Sequence, residues 1–126
     1  MRIRVLMILF LLGATTASMA ADARTDAKKQ VEFGITVAQR GLWREAIYRW
    51  ERATQIDPKY AEAFNDLAIA YEHEGDLEKA RVAYEKALGI EPNNALIKQN
   101  YELFKEINDR TTRKDSQDGG DPQDSQ

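Results

Sequence analysis

A chain of 126 residues holds one modest domain, and a net charge of −3 gives no sign of a nucleic-acid surface. A single histidine and the absence of cysteine exclude disulfide frameworks, thiol chemistry and most zinc sites.

The chain opens with MRIRVLMILFLLGATTASMA, which reads as a secretory signal peptide over residues 1–20. Arg2 and Arg4 supply a basic start, and residues 5–12 are an unbroken apolar run, shorter than the ~20 residues a bilayer span needs. Ser18 and Ala20 have the spacing of a cleavage site; the alternative is an uncleaved N-terminal anchor. A lipoprotein would need a cysteine after this segment, and the chain has none. The expectation is an exported protein, periplasmic in a bacterium or otherwise secreted, with residues 21–26 as a short linker.

Residues 27–60 and 61–94 then say nearly the same thing twice. At an offset of 34, Ala27 meets Ala61, Ile35 meets Ile69, Gly41 meets Gly75, Ala46 meets Ala80, Ala53 meets Ala87 and Pro58 meets Pro92. Phe33 with Leu67, Gly34 with Ala68, Val37 with Tyr71 and Trp50 with Tyr84 keep the residue type. Self-similarity at a fixed period marks stacked supersecondary units. Each unit reads as a helical hairpin. In the second, Phe64, Leu67, Ala68 and Tyr71 form one apolar stripe, and Leu77, Ala80, Ala83, Tyr84, Ala87 and Leu88 form the next. Gly41 and Gly75 suit the left-handed turn between helices, and Pro58 and Pro92 stop the second helix of each pair. Asp26 is expected to cap the first helix, and Asn93 or Asn94 the last. Antiparallel helices approach to about 8–10 Å only over small side chains. Gly34, Ala46, Ala68 and Ala80 give that room, Trp50 and Tyr84 fill the space beside it, and Ala53 and Ala87 admit the next helix.

Residues 95–109 follow as a single amphipathic helix, with Leu96, Ile97, Tyr101, Phe104 and Ile107 apolar and the rest polar. It fills the first-helix slot of a third unit whose second helix is missing and serves as a polar-backed cap. Residues 110–126, RTTRKDSQDGGDPQDSQ, contain no aliphatic or aromatic residue and are expected to be disordered. This tail is either a solubilising end or an acidic lure for a basic partner.

The pattern Phe64, Leu67, Ala68, Tyr71, Ala80, Tyr84, Pro92 resembles the tetratricopeptide repeat, W-x2-L-G-x2-Y followed by A-x3-F and P. The upstream copy reads Gln30, Phe33, Gly34, Val37, Ala46, Trp50, Pro58 and is degenerate in its first helix. The resemblance covers residues 27 to about 109 and implies an all-α, right-handed solenoid of two repeats and a capping helix. It also implies a concave face, lined by the first helices, that holds peptide segments. Carried over by register, that lining is Val31, Glu32, Ile35 and Gln39 from the first repeat and Asn65, Asp66, Ile69, Glu72 and His73 from the second. The last helix adds Gln99, Asn100 and Leu103. Some relatives clamp a terminal carboxylate with Lys, Arg and Asn, but Val31, Ile35, Asp66 and Asn100 stand at those positions. The face is instead apolar with an acidic fringe, suited to an apolar or basic segment or helix, with Asn65 and Asn100 able to bond a peptide backbone.

No nucleophile–base–orienter set can be assembled, no phosphate loop appears, and His73 is a surface histidine, so an enzyme, a cofactor and a metal are not expected. Trp43 corresponds to Leu77 and is expected beside it, with Tyr48 on the outer side. The expected function is a protein-binding adaptor, without nucleic acid or a stable membrane span. The alternative is a structural subunit or homo-oligomer that uses its end surfaces, chiefly Val31, Ile35 and Ala38, because solenoids usually need three or more units.

Overall fold

Two glycines set where the chain turns back on itself. Gly41 and Gly75 sit at φ +77° and +79°, in the left-handed region that glycine alone enters without cost. Each closes a double-bonded helix end: Gly41 N–H donates to Ala38 (2.9 Å) and Leu42 N–H to Val37 (3.0 Å), and Gly75 and Asp76 repeat this on Glu72 and Tyr71. The computed structural model describes residues 2–118, with side chains over 16–114. The elements are α1 (Arg2–Gln39), α2 (Trp43–Ile56), α3 (Ala61–His73), α4 (Leu77–Ile90) and α5 (Ala95–Asp118), with no strand among the described residues. α1 pairs with α2 and α3 with α4 as hairpins, α2 packs on α3, and α5 closes on α4, giving an all-α solenoid. Asp76 caps α4 by accepting from Lys79 N–H, and Asn94 caps α5 by accepting from Leu96 and Ile97 N–H at 3.1 and 3.2 Å.

The small and large residues lock as the repeat requires. Ala46, Ala53, Ala68, Ala80 and Ala87 are fully buried; Trp50 and Tyr84 share one core with the first four, and Ala87 packs with Ala61 and Ile97. The Trp50 indole N–H donates to the Val31 carbonyl at 3.2 Å, which fixes the ring across α1. A Cβ placed on Gly34 would lie 2.5 Å from that indole nitrogen. Gly34→Ala should therefore destabilise by roughly 1–3 kcal/mol. Alanine gains about 1 kcal/mol of helix propensity, but overpacking costs about 1–3 kcal/mol and the displaced indole hydrogen bond about 1 kcal/mol more. Adding Trp50→Tyr should recover most of the loss, because it recreates the Ala68 and Tyr84 pair of the second unit. Urea titration of the four-member cycle reads this out, and strict additivity of the two changes would reject the steric account.

Four expectations need correction. Asp26 is not a cap and residues 21–26 are not a linker: α1 runs through them unbroken. Nothing in that stretch breaks a helix, and Arg24 docks it by pairing with Asp57, donating to the Lys59 carbonyl at 3.1 Å and lying 4.6 Å over the Tyr60 ring. The cap is longer than residues 95–109. α5 continues to Asp118, since Thr111 and Thr112 bond back to the Ile107 and Asn108 carbonyls and no glycine intervenes before Gly119. The remainder of the tail expected to be disordered, residues 119–126, lies outside the described residues. Phe33, given a structural repeat position equivalent to Leu67, is 48% exposed, with the Arg49 guanidinium 4.4 Å over its ring. α3, which carries Leu67, packs against both α2 and α4, whereas among the described residues α1 packs chiefly against α2. Val31 is the reverse case. At 1% exposure it belongs to the core, so it is unavailable both to a groove and to an end surface for self-association.

Candidate functional site

The expected lining divides three ways. Ile35, Gln39, Asp66 and Ile69 come together in one pocket of about 310 Å³ between α1 and α3, joined by Ala38, Trp43 and Trp50. Val31 and Asn65 are buried and take no part in its lining. Glu32, Glu72, His73, Gln99, Asn100 and Leu103 lie outside the pocket lining.

Asn65 cannot meet a peptide backbone because it is already engaged. Its carbonyl accepts from the Asn100 amide at 3.0 Å, tying α5 to α3, and its own amide donates weakly to Asp66 Oδ1 at 3.4 Å. Glu72 is likewise used, accepting from the Tyr84 hydroxyl at 3.0 Å. His73 is exposed, but it is not idle: its ring stacks on Trp43 with centroids 4.0 Å apart.

Three lining residues, Ala38, Trp43 and Trp50, are absent from the expected groove, and Trp43 is the least foreseeable of them. Its repeat equivalent is the smaller Leu77, beside which it was expected to pack. The longer indole reaches from the start of α2 to the end of α3 and becomes a wall. The only signal was the size mismatch at equivalent positions, Trp against Leu.

Asp66 is the one ionisable group in this pocket. Burial, and then repulsion from Glu62, push its carboxyl up from 3.8 to about 7, against a small opposing effect of the Asn65 amide. No lysine or arginine among the described residues pairs with it, whereas Asp26, Asp57 and Asp76 each have one. The pocket thus joins apolar walls to a carboxylate without a counter-ion.

Ile35 and Ile69 of the pocket share their register position in the three first helices with Leu103 beyond it. They are 37%, 37% and 55% exposed, an apolar row on successive elements. A larger hollow of about 490 Å³ lies among α2, α3 and α4. Its charges are spent internally: Tyr71 donates to Glu51 at 2.7 Å, Arg81 pairs with Glu78, Lys79 pairs with Asp76 at 3.4 Å, and Lys86 lies over the Phe64 ring. The α1–α3 pocket is therefore the better candidate despite its smaller volume. Among the described residues no group of three or more His, Asp or Glu gathers to hold a metal, and no helix is long and apolar enough to cross a membrane.

Two family models match. The Tetratricopeptide repeat model covers residues 61–94, and the TPR repeat model covers residues 37–75. The type IV pilus assembly protein PilF of Pseudomonas aeruginosa is 29% identical over 100 residues, or 75% of this chain and 40% of that protein. The chloroplastic tetratricopeptide repeat domain-containing protein PYG7 of Arabidopsis thaliana is 29% identical over 74 residues, or 59% of this chain and 25% of the relative. The small glutamine-rich tetratricopeptide repeat-containing protein 2 of Mycosarcoma maydis is 32% identical over 69 residues, or 55% of this chain and 20% of the relative. The match thus spans well under half the length of each of these relatives.

Proposed function

Because the chain belongs to the tetratricopeptide-repeat family through residues 37–94, we propose that it is a non-catalytic adaptor that holds a peptide segment or helix of a partner protein along the first-helix face. The observation that carries this reading is the in-register row Ile35, Ile69 and Leu103, exposed on α1, α3 and α5 and continuous with the Trp43 pocket. Apolar side chains partly left in water at equivalent positions of successive helices form a row that a bound segment would cover.

The likeness to a pilus assembly protein supports an assembly role in a cell envelope. The basic, apolar and small-residue order of residues 1–20 supports export through a cleaved signal peptide, with the periplasm as destination.

A second reading, a self-associating structural subunit, draws on a different surface. Phe33 and Tyr48 are exposed at the end of the stack, and the Arg49 guanidinium lies 4.4 and 5.5 Å from their ring centroids. A photo-activatable residue separates the readings. Placed at Ile69 or Leu103 in the native compartment, it should yield adducts with another protein, and at Tyr48 it should yield none. Adducts confined to Tyr48, and consisting of two copies of this chain, would favour the structural subunit and end the groove reading.

A further inference from the structure

We propose that the α1–α3 pocket is a receptor for a single lysine or arginine side chain of the bound polypeptide, with the apolar walls taking its methylene stem and the Asp66 carboxylate taking its cationic head. This rests on the first-helix face being the binding face. The walls fit the stem: Ile35, Ala38, Trp43, Trp50 and Ile69 leave only Gln39 and Asp66 as polar groups. Long basic side chains bury their stems along apolar surface while the charge seeks a partner. Indole faces also attract a cation.

The head group is selected by Asp66. A partly buried carboxylate without a cation is costly, and a basic ligand brings the missing charge. A neutral apolar side chain would desolvate Asp66 further and recover nothing. A terminal carboxylate would meet like charge, from Asp66 in the pocket and from Glu62 behind it.

Binding must also be linked to protons. The ionisable groups facing Asp66 are Glu62 on its own helix, Tyr60 at the start of that helix and Tyr84 from α4. α1 and α2 contribute Ile35, Ala38, Gln39, Trp43 and Trp50 to the pocket, none of them ionisable, and α5 reaches it only through Asn100 on Asn65. In the free protein the Asp66 carboxyl releases its proton at about pH 7. A bound cation favours the ionised form, so affinity should rise as pH increases through that point and flatten above it.

The test is selection of an unbiased phage-displayed library of 12-residue peptides on the purified chain, followed by titration of the winning synthetic peptides. The winners should share one basic position. Replacing that residue by Gln should weaken binding roughly 30-fold or more, as should Asp66→Asn, and the two changes together should cost little more than either alone. Affinity should climb from about pH 6 to about pH 8 in the wild type and in His73→Gln, and stay level in Asp66→Asn. Peptides that label a photo-activatable residue at Ile69, yet need no basic position and bind Asp66→Asn equally well, overturn the anchor and leave the groove standing. Peptides that label Tyr48 instead, or a selection that enriches no peptide, overturn both.

Discussion

Tyr84→Ala is expected to cost about 3–5 kcal/mol, much of the 5–15 kcal/mol that holds a domain of this size together. Tyr84 is 1% exposed and sits where three helices meet. Its ring lies 5.6 Å from Tyr101 and 5.5 Å from Phe104, both on α5, while its hydroxyl donates to Glu72 on α3. The cavity left by alanine is walled by the Tyr101 and Phe104 rings in a core otherwise rich in alanine, so little can move in to fill it. α5 should suffer first. Its remaining anchors are Ile97 against Ala61 and Ala87, within its first turn, and the Asn100 bond to Asn65. Hydrogen exchange should show protection lost over residues 98–110 before α1 and α2 change. Tyr84→Phe keeps the packing and gives up the bond to Glu72, so it should cost about 1 kcal/mol. Equal losses for the two variants would mean that the hydroxyl, and not the ring, holds the cap.

The comparison of repeats explains what could be read without coordinates. Hairpins, glycine turns and the pairing of small with aromatic residues follow from chemistry that is local or repeats every 34 residues, and all of it is visible in the chain. Burial at the ends of the stack is different, because a register position predicts an environment only where the neighbouring unit exists. Ala63 and Ala70 are buried in α3, their equivalents in α1 are the exposed Lys29 and Thr36, and those in α5 are the buried Ile97 and Phe104. Phe33 was misplaced for this reason. Val31 and Asn65 share a register position and are both core, yet register had assigned them to the groove. Asp66, one residue from Asn65, differs from it by about 100° of rotation, and Ile35, four residues from Val31, by about 40°, finer than a repeat pattern resolves. The pocket itself was half legible: Ile35, Gln39, Asp66 and Ile69 were named, while Trp43 depended on a side-chain reach that no periodicity encodes.

The pocket's carboxylate gives a second large effect, on stability and in the opposite direction from most carboxylates. A group whose folded pKa is raised binds its proton more tightly in the native state, so stability declines as pH rises from 3.8 to about 7 and stays at the lower level above that. Asp66→Asn should remove this decline and make the protein more stable at pH 8 by roughly 2–4 kcal/mol. Asp57 works the other way. Burial pushes its carboxyl up, but the Arg24 hydrogen bond and charge outweigh that and hold it below the usual value, so its contribution is lost on acidification below 3.8 and does not overlap this window. Melting temperature measured from pH 5 to pH 8 isolates Asp66, because Glu78 and Glu85, whose carboxyls Arg81 also holds low, lose their contribution only below 4.5, and a His73→Gln background removes the single imidazole. A residue that costs stability at neutral pH is what a binding site kept for charge would contain, since the same desolvation that weakens the fold strengthens the attraction for an incoming cation. If Asp66→Asn leaves the pH profile unchanged, the carboxylate is hydrated and ionised in the free protein, and the basic-anchor proposal loses its premise.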